Sequence, residues 1–182
     1  MKATLMSIRP EWVAKILNGE KTIEIRKKFP KDYVGWVYIY VTKQGILAKI
    51  KNVWRYIKGK NYNPYFGYQG KVVARFWCDK VEEHRPFFHW CIEKETCLTC
   101  DDVLDYLDSK DKSVGNPKRQ DKVYAIRITK LEIFDKPKEI SEFMKVSCKG
   151  CPFENTQTCH NNTDGRYCKL TRAPQSWCYV EI

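Results

Sequence analysis

Polar and apolar positions along this chain repeat with two periods, and the switch between them marks out the elements. Ala3 to Ile8 is apolar enough for a first strand. Pro10 then suits the first turn of a helix whose apolar face is Trp12, Val13, Ile16 and Leu17. Gly19 stands where that helix stops. From Thr22 the period becomes two: Ile23 and Ile25 point one way, and Thr22, Glu24, Arg26 and Lys28 the other. Pro30-Lys31-Asp32 makes a turn, and Val34 to Val41, β-branched and aromatic, is the best candidate for a central strand. Gly45 breaks it, and Ile46 to Ile57 continues as mixed basic and apolar sequence. Residues 61–70 hold Pro64, Gly67 and Gly70 and read as a loop. Lys71 to Val81 is another strand. Thr99 caps a short helix, Asp101 to Leu107, and Gly115-Asn116-Pro117 breaks the charged stretch from Ser109 to Lys122 into surface loop. Lys122 to Phe134 alternates through Val123, Ala125, Ile126, Ile128 and Leu131 as one long strand, which Pro137 closes. Glu139 to Lys145 is predicted as a short helix and Ser176 to Ile182 as the final strand.

This order of elements suits the α+β class, built as a mixed, largely antiparallel β-barrel with flanking short helices. The expected organisation is a single domain, 1–182, carrying a helical and loop insert at 83–121 and a Cys-rich insert at 146–170. With 182 residues the chain buries one ordinary core.

Charge narrows the partners. The formal net charge is +11, which favours anions, nucleic acid before membrane. From Tyr33 to Cys78 there is no Asp or Glu, while Lys43, Lys49, Lys51, Arg55, Lys58, Lys60, Lys71 and Arg75 all fall there. Aromatic residues interleave with them, densest in the loop that holds Tyr62, Tyr65 and Tyr68. Cations hold phosphates, and an aromatic ring offers an unpaired base a stacking face worth about 1–3 kcal/mol. The strand aromatics Trp36, Tyr38, Trp54, Phe76 and Trp77 are read instead as core. No window approaches the roughly 18 apolar residues of a membrane span. Arg9-Pro10-Glu11 interrupts anything resembling a signal peptide, so a reducing cytoplasm is expected; a monomer is expected separately.

Candidate chemistry gathers first around Lys21. Glu24 and Arg26 lie two positions, about 6.7 Å, apart on one strand face, and Lys21 stands on the turn before them. The plain interpretation is a solvated strand edge with an ion pair worth about 0–1 kcal/mol. No Ser-His-Asp set, phosphate-cradling glycine loop or dinucleotide fingerprint is present. His84 and His89, beside Pro86 and two phenylalanines, are read as non-catalytic.

Two runs, Ser7-Ile8-Arg9-Pro10-Glu11-Trp12-Val13 and Ile16 to Lys27, resemble the opening of ASCH-family domains in the PUA-like superfamily. The hallmark of that family is a G-x-K-x-x-E-x-R run, filled here by Gly19, Lys21, Glu24 and Arg26. The ending, Arg172 to Val180, resembles the close of phage and prophage members. The resemblance is specific over residues 3–28 and absent over most of 146–170. It implies a small barrel that holds RNA or a modified nucleotide or nucleoside; together with the basic, aromatic stretch, the expected contacts are Lys21, Glu24, Arg26, Lys28, Arg55, Tyr62, Tyr65 and Tyr68. It also implies a second class of function. Some bacterial relatives hydrolyse N4-acetylcytidine with a Lys at the position of Lys21, a Thr at that of Glu24, and a downstream Glu; this chain carries Glu24 where they carry Thr. As an amidohydrolase or ribonuclease it would use Lys21, Glu24 and Glu95, with Glu93 nearly as good a choice for the downstream acid. An adaptor or inhibitor that binds another protein is a third possibility.

Nine cysteines are many for a reducing compartment, and their odd number argues against a complete disulfide framework. Cys148 and Cys151 have the C-x2-C spacing that lets two thiolates hold one tetrahedral ion, with Gly150 easing the turn. Cys159 and Cys168 complete a four-thiolate set, and His160 can replace Cys159. The segment is too poor in apolar residues to order itself by burial, whereas zinc would order it. An iron–sulfur cluster uses the same thiolates, and unligated reduced cysteines are the plain alternative. Cys97-x2-Cys100 is a weaker pair, read as structural.

Overall fold

The computed structural model describes residues 2–43, 68–84, 93–99, 102–103, 105–106, 122–145 and 168–181. The mixed basic and apolar stretch 46–57, most of the 83–121 insert and the segment 146–167 lie outside them. Two compact units are formed, one from Met1–Ala14, Gly35–Phe76 and Leu131–Ile182, the other from Lys15–Val34 and Trp77–Lys130.

Strand β1 (Ala3–Ile8) is buried at every position, as a strand flanked on both sides must be. Helix α1 (Pro10–Leu17) follows it, then β2 (Ile23–Arg26) and β3 (Gly35–Val41). β1 and β3 run parallel, Leu5 opposite Tyr38 and Ser7 opposite Tyr40, and α1 with β2 supplies the long crossover that a parallel pair needs. On its other side β1 pairs antiparallel with β10 (Trp177–Glu181), Leu5 opposite Cys178. Between them in sequence come β4 (Val72–Cys78), β5 (Val81–His84), α2 (Glu93–Thr96), β6 (Val123–Arg127), β7 (Thr129–Lys138), β8 (Met144–Lys145) and β9 (Cys168–Lys169). Seven strands form one mixed sheet in the order β7-β4-β3-β1-β10-β8-β9. One of its faces carries the cluster Ala3, Leu5, Tyr38, Tyr40, Val72, Phe143, Leu170 and Val180.

The second sheet is antiparallel, in the order β2-β6-β5. Ile25 stands opposite Ala125 and Glu24 opposite Ile126, while Val81 stands opposite Ile126. Ile25, Val123, Ala125 and Val103 form its apolar cluster, with Ile23 and Leu98 against it. Val103 belongs to the predicted short helix, which is helical at residues 102, 103, 105 and 106. Thr99 caps it as expected: its Oγ1 accepts from the Asp102 N–H, and the Asp102 carboxylate accepts from the Thr99 N–H at 2.9 Å. That reciprocal bonding holds the Asp102 carboxyl below its usual range.

The α+β class stands, but the closed barrel does not. Among the described residues the strands make two open sheets whose orders do not return on themselves. The expected strand from 122 to 134 is two strands, β6 and β7, in different sheets. Ile128 between them sends its N–H to the Thr22 carbonyl, and Lys130 takes a left-handed φ of 44°. β7 also runs through Pro137 instead of ending there, because as the end strand of the described sheet it spares Pro137 a ladder donor. The predicted strand from Lys71 to Val81 divides into β4 and β5. The helix expected at Glu139–Lys145 is a single 3-10 turn, Ile140–Glu142, after which Phe143 is extended and buried in the core.

Candidate functional site

The end of α1 places the first functional side chain. Gly19 has a φ of 75°, its N–H donates to the Ile16 carbonyl at 3.0 Å, and the Glu20 N–H donates to the Lys15 carbonyl at 2.9 Å. This pair of bonds is a Schellman motif with Gly19 in the left-handed position. The Lys21 N–H joins it on the Lys15 carbonyl at 3.0 Å, so the chain turns tightly out of the helix into β2. Thr22 is then fixed from both sides. Its N–H donates to the Glu95 carbonyl at 2.8 Å, and its carbonyl accepts from the Ile128 N–H at 2.8 Å.

Lys21, Glu24 and Arg26 come together as an ion triad. Glu24 Oε2 lies 3.5 Å from Lys21 Nζ, and Glu24 Oε1 lies 3.0 Å from Arg26 Nη2. Lys21 Nζ also donates to the Thr96 carbonyl at 2.7 Å. The period-two pattern correctly put Glu24 and Arg26 on one face, but that face is not solvated. Lys21 is 1% exposed, Glu24 6% and Arg26 9%. Burial is the largest influence on the Lys21 amine and pushes its pKa down; the Glu24 charge and hydrogen bond and the Cys97 side chain act against it, and Arg26 adds to it. Three charged groups with a single anion among them are costly to bury, since each ion taken from water loses several kcal/mol of hydration. Chemically the triad offers an amine displaced towards its neutral form, a carboxylate shared by two cations, and a planar guanidinium donor.

Thr96 carries no signal in the residue pattern. Its side chain is 2% exposed, its Oγ1 accepts from the Leu98 N–H at 3.2 Å, and its hydroxyl reaches the Leu98 carbonyl at 3.4 Å. Cys97, between them, has a left-handed φ of 54°, and its thiol donates to the Glu20 carbonyl at 3.4 Å. The contact with Lys21 spans 75 positions and uses a main-chain oxygen, which no residue type announces.

The remaining predicted residues fall as follows. Glu95 reaches the site through its main chain, at Thr22, while its side chain is half-buried. Lys28 is exposed just beyond the end of β2. Tyr68 is 44% exposed. Arg55, Tyr62 and Tyr65 lie outside the described residues, as do Cys148, Cys151 and Cys159. Cys168 begins β9, its backbone paired with Lys145. Among the described residues no group of three or more His, Cys, Asp or Glu is placed to hold a metal ion. Among them, too, no helix is long and apolar enough to cross a membrane.

No family model matches the sequence, and no curated protein matches it. Solved structures do. An ASCH protein from Zymomonas mobilis superposes with a TM-score of 0.50 at 16% identity, over 76% of this chain and 73% of that one. Two mutant forms of the same protein give TM-scores of 0.49 and 0.48, also at 16% identity, over 77% and 75% of this chain and 77% and 73% of theirs. One mixed and one antiparallel sheet with short helices define an α+β class, and the chain has the fold of an ASCH domain.

Proposed function

We propose that the chain binds RNA or a modified nucleotide through Lys21, Glu24 and Arg26. The observation that carries this reading is the burial of three charges together, Lys21 on the turn before β2 and Glu24 and Arg26 on one face of it. A solvated ion pair needs no such burial, and perturbed, desolvated ionisable groups concentrate where ligands are handled. Arg26 and Lys21 supply donors for a phosphate or for the acceptors of a base edge. The Glu24 carboxylate, with lone pairs beyond those facing the two cations, accepts from an exocyclic amine as carboxylates do with cytosine. The net charge of +11 adds the long-range attraction that brings a polyanion to such a site.

A second reading, hydrolysis of an N4-acylcytidine amide or of RNA, is favoured by one observation, the depressed pKa of Lys21. Lowering the pKa of an amine brings its neutral form, the one that acts as a base, within easier reach once a carbonyl is placed beside it. Incubating the protein with N4-acetylcytidine and with total RNA, wild type against Lys21→Ala, separates the two readings. Binding without turnover supports the first, turnover abolished by Lys21→Ala supports the second, and neither binding nor turnover contradicts both.

We further propose that Cys148, Cys151, Cys159 and Cys168 hold zinc, an iron–sulfur cluster being the less favoured occupant of the same thiolates. Their spacing supports it, as does the antiparallel pairing of Lys145 with Cys168, which clasps the two ends of the Cys-rich segment.

A further inference from the structure

We infer that Thr96 is a positioning residue for Lys21: its hydroxyl bonds to Leu98 hold the chain reversal after α2 so that the Thr96 carbonyl meets the Lys21 amine. The inference rests on the reading that Lys21 is the functional group of the site, and it deepens that reading by naming what aims it.

The geometry is a strap fastened along Glu20, Lys21 and Thr22. The Cys97 thiol donates to the Glu20 carbonyl, the Thr96 carbonyl accepts from Lys21 Nζ at 2.7 Å, and the Glu95 carbonyl accepts from the Thr22 N–H at 2.8 Å. Three consecutive residues thus engage three consecutive residues in opposite order. A carbonyl at the end of a four-residue helix has no helical N–H to accept from. Here it is turned inward by the left-handed backbone of Cys97, a conformation that disfavours non-glycine residues by roughly 1–2 kcal/mol. The Thr96 hydroxyl, buried and bonded to both polar atoms of the Leu98 main chain, spans that unfavourable residue and holds it in place. Among the groups acting on the Lys21 amine are Glu24 and Arg26 from β2, and Cys97 with the Thr96 carbonyl from the strap. Without the strap the amine keeps its carboxylate but loses its cover and the Thr96 carbonyl.

The test reads Lys21 directly and needs no ligand. Competitive acetylation with acetic anhydride across pH 6–11, followed by mass spectrometry of the Lys21 peptide, yields the midpoint and the plateau rate for this amine. Thr96→Val keeps the branched shape and removes the hydroxyl. Because burial is the main cause holding Lys21 low, opening the strap should move the midpoint up towards the ordinary lysine range by about one unit, tenfold in free amine at a given pH, and raise the plateau rate. Thr96→Ser, which restores the hydroxyl, should return the wild-type profile. A second pair reaches the same carbonyl through the backbone: Cys97→Gly, at ease with a positive φ, should leave Lys21 protected, and Cys97→Val should release it. Reaction of the fully buried Cys78 with a thiol reagent reports unfolding of the same unit, and a Thr96→Val chain that exposes Cys78 passes the decision to the Cys97 pair. An unchanged Lys21 profile in folded Thr96→Val, or equal release in Cys97→Gly and Cys97→Val, overturns the inference. Nucleotide binding by these variants is measured separately. If Lys21 responds as expected while no variant, wild type included, binds RNA or a nucleoside, the functional reading fails and the positioning stands.

Discussion

Glu24 faces Arg26 at 3.0 Å through one carboxylate oxygen and Lys21 at 3.5 Å through the other, so a single anion serves two cations on a face closed to water. The nucleotide site proposed for the chain depends on that sharing, and its members are not equivalent.

Glu24→Gln leaves two buried cations without their counter-charge, a change that costs about 3–5 kcal/mol for buried pairs. We expect a loss near 3 kcal/mol, the lower end, because Lys21 can escape part of the penalty by releasing its proton. Lys21→Met removes the costliest charge and leaves Glu24 paired with Arg26, so it should fall within about 1 kcal/mol of wild type or above it. Urea unfolding at pH 7 gives both values. The opposite ranking would mean that Lys21, not Glu24, is the keystone of the triad.

The same amine ties stability to pH. Its folded-state pKa is lowered from the ordinary 10.5, so between the two values the unfolded chain binds more protons than the folded one, and stability rises with pH. The contribution is unfavourable below the folded pKa and is relieved as pH climbs towards 10.5. Wild type should therefore gain on Lys21→Met between pH 7 and pH 10, and taking the difference removes tyrosine and cysteine titrations common to both. A difference independent of pH would place the Lys21 pKa at its ordinary value.

Some of this was legible in the sequence for identifiable reasons. Gly35–Val41 was legible from its β-branched and aromatic content, and Ala3–Ile8 and Trp177–Glu181 from being short apolar runs of strand length. Pro10 and Gly19 bracket α1 because each fixes a backbone state that the helix end requires. Alternation told which residues share a face with Glu24, but not that the face is covered, since covering depends on segments far away in the chain. The break at Ile128 was hidden for a similar reason. Apolar positions continue across it, and the left-handed residue, Lys130, is neither glycine nor asparagine. Thr96 was invisible because it acts through its carbonyl.

Gly19 tests the turn that delivers Lys21. A β-carbon there would meet nothing within 4 Å, so only the backbone angle of 75° is at stake. Gly19→Ala should cost about 1–2 kcal/mol, and Gly19→Asn, more tolerant of the left-handed region, clearly less. Thermal or urea unfolding of the pair decides it, and equal, negligible effects would mean that the motif is not held in this conformation.

Thiol chemistry separates two cysteines. Cys78 is fully buried, with its thiol pushed up to about 11 by burial, whereas Cys97 is half-exposed. Site-resolved alkylation at pH 8 should modify Cys97 and spare Cys78. In protein purified without chelator, about one equivalent of zinc should be present. Cys148→Ser and Cys151→Ser should lose it and Cys97→Ser should not. Less than about half an equivalent of zinc or iron in wild type would remove the four-thiolate site.

The measurement that reaches the central claim most directly is equilibrium binding of an RNA and nucleoside pool by wild type and Lys21→Ala across salt concentration. Wild type should bind with an affinity that falls steeply as salt rises, because its cations displace counterions. Lys21→Ala, folded by the Cys78 criterion, should bind about tenfold more weakly or worse, as expected for loss of one charged hydrogen bond. Equal affinities for the two proteins, or an affinity flat between low and moderate salt, would contradict a nucleotide site built on Lys21, Glu24 and Arg26.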